Sequence, residues 1–146
     1  MNEQPSLPLK THADILREFR AMGVTPTAQR LKIAAAIFSR PQHFSADDLL
    51  GQANSEGRKV SKATVYNTLD LFVRKGLVRQ LIVDPTRVFY DSTTHAHYHF
   101  FDQETQQLID VNQDEVAVTL PTSLPEGMEI ADVDVIIHLR RSNGTH

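Results

Sequence analysis

Residues 61–90, SKATVYNTLDLFVRKGLVRQLIVDPTRVFY, decide how the first half of this chain folds. A serine hydroxyl accepts readily from the unpaired amides of a first helical turn, so Ser61-Lys62-Ala63-Thr64 opens a helix. Val65, Leu69 and Phe72 recur on one stripe at helical spacing, and Gly76 closes the helix just after Lys75. Past Gly76 the period changes. Leu77 to Val83 and Arg87 to Tyr90 are rich in β-branched and aromatic residues, and Asp84-Pro85-Thr86 between them has turn chemistry, which predicts a β-hairpin.

Working outward, three more helices precede this stretch. Thr11 to Met22 carries Ile15, Leu16 and Phe19 and stops at Gly23; Thr27 to Ser39 carries Leu31, Ala34, Ala35 and Phe38 and stops at Pro41. Ser45-Ala46-Asp47-Asp48 resembles a capping box and opens a helix expected to end at Gly57. Helices followed by a hairpin, with a well-capped helix just before it, predict a winged helix-turn-helix module whose reading helix starts at Ser61. On that helix Thr64 and Tyr66 can meet thymine methyls, Asn67 can bridge an adenine edge, and Lys62 and Arg74 can neutralise phosphates; Arg20 of the first helix joins the same set. A merely solvated charged face is the competing reading of the same residues.

Charge supports two units with different partners. The net charge is only −3, yet twelve of the fifteen Lys and Arg fall between Lys10 and Arg79, while acids predominate after Val83. The join is expected at residues 91–94, dividing a DNA-binding domain, 1–90, from a second domain, 95–146. With 146 residues, 40% hydrophobic and 23% charged, either domain can bury a core. No apolar run is long enough to span a bilayer and Met1-Asn2-Glu3-Gln4-Pro5 lacks the pattern of a secretory signal, so no membrane partner and a cytoplasmic location are expected. Cysteine is absent, which removes disulfides, thiolate nucleophiles and sulfur-ligated metal sites.

The second domain opens on three histidines at alternate positions, His95, His97 and His99, followed by Phe100-Phe101. A strand repeating every two residues aims them the same way, which suits a metal held by nitrogen and oxygen. A solvated polar face is the alternative.

Four segments together carry a family resemblance. Gly23-Val24-Thr25-Pro26-Thr27-Ala28-Gln29-Arg30, His43-Phe44-Ser45-Ala46-Asp47-Asp48-Leu49, Ala63-Thr64-Val65-Tyr66-Asn67-Thr68-Leu69 and His97-Tyr98-His99 resemble, in order and spacing, the signatures of the ferric uptake regulator family. The resemblance covers roughly residues 10 to 140. It implies an α+β fold, with an N-terminal winged-helix domain and a small α/β dimerisation domain, in a homodimeric, metal-responsive regulator that binds double-stranded DNA at a pseudo-palindromic operator. It places the regulatory metal on His43, Asp91, His97, His99 and Asp110, with His95 a doubtful neighbour. That donor set suits Fe²⁺ or Mn²⁺, with Zn²⁺ competing, and leaves haem open.

Two departures sharpen the resemblance. The family's structural zinc on two Cys-x-x-Cys pairs has no ligands here, and its second metal site would need donors where Ala96, Tyr98 and Val133 stand, so one divalent ion per protomer is expected. Asp110 and the His-Tyr-His motif resemble peroxide-sensing members, in which bound iron oxidises a histidine ligand, while the lack of cysteine and Phe100-Phe101 look closer to iron response regulators. A rival from another class uses His97, His99 and Glu104 as the metal motif of a cupin-like non-haem iron oxygenase. It requires a double-sheet jelly roll.

Overall fold

Among the described residues of the N-terminal unit, each of four helices starts at a Ser or Thr hydroxyl that accepts from the amide three residues on. Thr11 does this for Asp14, Thr27 for Arg30, Ser45 for Asp48 and Ser61 for Thr64. Thr11 and Ser45 complete capping boxes, because the Asp14 and Asp48 carboxylates return a bond to the cap amide. The helices so opened are α1 (His12–Met22), α2 (Ala28–Ile37), α3 (Ala46–Ala53) and α4 (Lys62–Arg74). In this computed structural model, residues 10–93 and 98–143 are described. The chain divides into two units, residues 1–94 and 95–146.

The predicted stripe of α4 is the buried one: Val65, Leu69 and Phe72 are fully enclosed, with Thr68 beside them. They pack with Phe19 of α1, Ile33 and Ile37 of α2 and Leu49 of α3 in one core. The Phe19 and Phe72 rings sit 5.5 Å apart in a tilted pair. Each such side chain contributes roughly 1.5–3 kcal/mol by leaving water, which holds α4 against the other helices and leaves its opposite face outward. Gly23, with φ 71°, takes the left-handed conformation that ends α1.

One helix is shorter than its sequence suggests. α3 stops at Ala53 rather than at Gly57. The Asn54 side chain explains this: it accepts from the Val60 amide at 2.8 Å and donates to the Val60 carbonyl at 2.9 Å, folding residues 54–60 into a closed loop. That loop delivers the chain to Ser61 and the start of α4.

The hairpin forms as β2 (Arg79–Asp84) and β3 (Arg87–Asp91), and a strand that the sequence did not announce, β1 (His43–Phe44), precedes both. The sheet order is β1-β3-β2, all antiparallel. Asp84 builds the turn, its Oδ1 accepting from the Thr86 amide at 2.8 Å and the Thr86 hydroxyl at 2.7 Å. The Phe44 and Tyr90 rings, opposite each other on β1 and β3, stack at 5.8 Å between centroids. Burial pushes the Tyr90 hydroxyl above its ordinary pKa.

The second unit is a three-stranded sheet of β4 (Tyr98–Asp102), β5 (Gln107–Asp110) and β6 (Val135–Leu139), in the order β5-β4-β6. β5 pairs antiparallel with β4, and β6 runs parallel to it on the other side. Phe101 is fully buried, and His138 meets its ring edge-on at 5.8 Å. Residues 116–134 between β5 and β6 are irregular, so the helical content of this unit among the described residues is one 3₁₀ turn, Gln113–Glu115. Pro121 and Pro125 interrupt helix formation there. Among the described residues no helix is long and apolar enough to cross a membrane.

Candidate metal centre and nucleic-acid interface

His43 and Asp91 are direct partners across β1 and β3. His43 Nε2 lies 3.1 Å from Asp91 Oδ2, with the carboxylate only 1% exposed. The other oxygen of that carboxylate is also engaged: Oδ1 accepts from the Thr93 amide at 2.9 Å and the Thr93 hydroxyl at 2.7 Å. Asp91 is therefore aimed by two donors and faces the imidazole with its second oxygen.

Gln42, next to His43, ties the pair to the helices. Its side-chain amide donates to the carbonyls of Ala36 and Ile37 at the end of α2, at 3.0 and 2.9 Å. Its Oε1 accepts from Gln52 Nε2 of α3 at 3.0 Å. On the main chain, its amide donates to Ser92 Oγ at 3.1 Å, and the Ser92 amide donates to its carbonyl at 3.2 Å. Neither Gln42 nor Thr93 belongs to the residues singled out from the sequence. A lone polar residue in a short linker has no periodicity to betray it.

In the second unit the same arrangement recurs. His99 of β4 and Asp110 of β5 are direct cross-strand partners, and His99 Nε2 stands 3.3 Å from Asp110 Oδ1. His99 is completely buried while Asp110 is 43% exposed. His97 and His95 lie outside the described residues.

Both pairs have the chemistry and spacing of metal donors. Two atoms each about 2.1 Å from one ion, at angles between square and tetrahedral, stand about 3.0–3.4 Å apart. The separations of 3.1 and 3.3 Å match that edge. Nitrogen and carboxylate oxygen without sulfur fit Fe²⁺, Mn²⁺ or Zn²⁺.

The nucleic-acid candidates on α4 stand on its outward face. Lys62, Tyr66, Asn67 and Arg74 are exposed, and Thr64 is half-buried. Tyr66 is 40% exposed with the Lys62 ammonium 5.7 Å from its ring centroid, an arrangement that presents an aromatic face and a cation together. Lys62 also lies 3.6 Å from Asp47 of α3. The Thr64 hydroxyl shares a 2.8 Å bond with Ser61 Oγ, which directs its polar end back to the cap. Arg20, in the last turn of α1, lines a cavity together with Leu16, Gly23 and Thr25.

The oxygenase alternative finds no support. Among the described residues the strands form one three-stranded sheet in each unit, where it requires a double sheet. Glu104 sits in the β4–β5 turn, its carboxylate 3.3 Å from Arg141 Nε, as part of an ion pair that includes Asp102. Arg141 Nη2 donates to Asp102 Oδ2 at 2.9 Å, and Asp102 Oδ1 accepts from the amides of Glu104 and Thr105 at 3.0 and 3.2 Å.

The sequence profile of the Ferric uptake regulator family matches residues 21–138. The peroxide-responsive repressor PerR of Staphylococcus aureus (strain USA300) is 30% identical over 95 residues, which cover 65% of this chain and 64% of that protein. The chain thus spans somewhat less than two thirds of that relative's length. Among solved structures, the ferric uptake regulator of Pseudomonas aeruginosa with manganese superposes with a TM-score of 0.69 at 26% identity, covering 86% of this chain and 96% of that one. The Vibrio cholerae ferric uptake regulator shares the fold with a TM-score of 0.68 at 22% identity, covering 88% of this chain and 100% of that one. A profile match over residues 21–138, on a winged-helix unit followed by a small sheet bearing a second His–Asp pair, leaves one conclusion: the chain belongs to the ferric uptake regulator family.

Proposed function

We propose that this chain is a metal-dependent transcriptional regulator that represses genes of iron homeostasis or peroxide stress when its metal is bound. The observation that carries the reading is the place of the His43–Asp91 pair: it lies in the same three-stranded sheet as the wing hairpin of the DNA-reading module. Metal binding there acts on the element that presents α4.

His43 and Asp91 supply two donors, His99 and Asp110 two more, and His97 a fifth. Bound, one Fe²⁺ or Mn²⁺ ion per protomer, with Zn²⁺ as competitor, links donors from both sides of a hinge at residues 91–94. Such a clamp works only if the closed arrangement binds the ion better, and driving a mostly open protein to mostly closed takes about 5.5 kcal/mol of difference. A domain boundary at residue 90, with dimerisation through residues 95–146, completes this reading.

The partners follow from the same features. A homodimer supports it through the apolar side chains that residues 116–134 leave exposed, among them Leu120, Leu124, Met128 and Ile130, which a second copy can cover. Two reading helices in such a dimer suit a pseudo-palindromic operator, met by Lys62, Thr64, Tyr66, Asn67 and Arg74, with Arg20 on the flank. A cytoplasmic location goes with that task.

Gel retardation on the chain's own promoter, with Fe²⁺, Mn²⁺, Zn²⁺, haem and peroxide in parallel, tests the reading. Retention with a divalent ion and release on its removal are expected. Retention indifferent to every addition contradicts it.

A further inference from the structure

The start of α2 and the outward face of α4 enclose an open cavity of about 420 Å³, and no function has yet been assigned to its α2 wall. Thr27, Gln29 and Arg30 line that wall, and Thr64, Asn67 and Arg74 line the other. Two guanidiniums and no carboxylate therefore face this space among the described residues, which favours an anionic guest.

Arg30 is held in a way that suits such a guest. Its amide donates to Thr27 Oγ1 at 3.2 Å, completing the helix cap, and its Nη1 donates to the Thr25 carbonyl at 2.9 Å. A guanidinium anchored by one nitrogen has fewer orientations open to it, so less rotamer entropy is lost when the fork meets an oxyanion. Arg74 opposite is anchored similarly, with Nε donating to the Asp70 carbonyl at 3.4 Å. Both cations are directed by backbone carbonyls, and among the described residues no acid pairs with either.

The guest is a polymer's phosphate rather than a small anion because the cavity is continuous with the reading face. Thr64, Asn67 and Arg74 belong to both, so a strand that runs along α4 passes the cavity. We propose that Arg30, with Gln29 beside it, seats a phosphodiester of the DNA strand bordering the groove that α4 enters. The contact carries no sequence information and fixes the depth and register of α4. The inference rests on the DNA-binding reading above and adds α2 to the interface.

The test uses the full chain with Mn²⁺ and fluorescence anisotropy on two duplexes of equal length, the promoter and an unrelated sequence, from about 50 to 200 mM salt. Arg30→Ala is expected to weaken both duplexes by the same factor, about tenfold, and to lower the slope of log affinity against log salt by about one. Arg30→Lys, which keeps the charge and guards against misfolding of the alanine variant, recovers the slope but only part of the affinity. Wild-type affinity and slope in Arg30→Ala overturn the seat while leaving DNA binding intact. A loss confined to the promoter duplex also overturns it, since that marks base reading. Failure of the wild-type protein to bind either duplex overturns this inference together with the reading beneath it.

Discussion

His43 and Asp91 face each other across two antiparallel strands, 48 residues apart in the chain, with Nε2 and Oδ2 separated by 3.1 Å. His99 and Asp110 repeat the relationship in the second sheet at 3.3 Å. In both cases the strand ladder rather than a loop sets the spacing. A ladder is stiff, so little conformational entropy is lost when an ion is gripped.

The bonds from Thr93 to Asp91 predict a positioning effect. Thr93→Val removes the hydroxyl donor at 2.7 Å but keeps the shape and the amide donor at 2.9 Å. Partners that orient a metal ligand typically influence affinity by about 10–100-fold, and with one of two donors left the lower end is expected. Isothermal titration with Mn²⁺ measures the loss, and thermal melting of the apo-protein checks that the fold is kept.

Gln42 has a different consequence, for stability. Gln42→Ala leaves the Ile37 carbonyl and the Gln52 amide without their side-chain partner, while the Ala36 carbonyl keeps its bond from the Ser39 hydroxyl. A loss of about 1–3 kcal/mol in urea unfolding is expected. An unchanged midpoint would show that water replaces the side chain at no cost.

Sequence preference should separate by residue along α4. Asn67→Ala removes a side chain suited to an adenine edge, so it should narrow the gap between operator and unrelated DNA by about 1–3 kcal/mol. Lys62→Ala should weaken both duplexes alike, with a shallower salt dependence. Competition binding on the two duplexes distinguishes these outcomes.

Acid stability of the second unit should depend on Asp102. The Thr105 amide, followed by the Glu104 amide and the Arg141 guanidinium, holds this carboxyl below its ordinary pKa of 3.8. A depressed native pKa means that the unfolded chain takes up the proton first, so the stabilisation is complete above the unfolded value and fades as pH falls through the native one. The stability difference between wild type and Asp102→Asn should therefore be constant from neutrality to about pH 5 and shrink below pH 4. Urea unfolding across that range reads it directly.

The elements most legible in the sequence were those with local chemistry. Thr11, Thr27, Ser45 and Ser61 each mark a helix start, because a cap is made with the amide three residues away. β1 was not legible: two residues cannot display a period, and its partner strand lies across three other elements in sequence. The end of α3 departs from its local sequence signal for a similar reason, since Asn54 reaches Val60 through its side chain and so stops the helix before Gly57. Of the proposed metal donors, His99 stands out through alternation along one strand, whereas His43, Asp91 and Asp110 come from the family resemblance. No spacing rule links residues joined only by a strand ladder.

In the proposed function, metal held by the two His–Asp pairs switches DNA binding. Anisotropy of the promoter duplex during Mn²⁺ titration tests it most directly, using wild type, His43→Ala and His99→Ala, each first checked as a dimer by analytical ultracentrifugation. A Mn²⁺-dependent rise in affinity is expected for wild type and no rise for either variant, with all three still dimeric. A His43→Ala dimer that keeps the wild-type response to Mn²⁺ would contradict it.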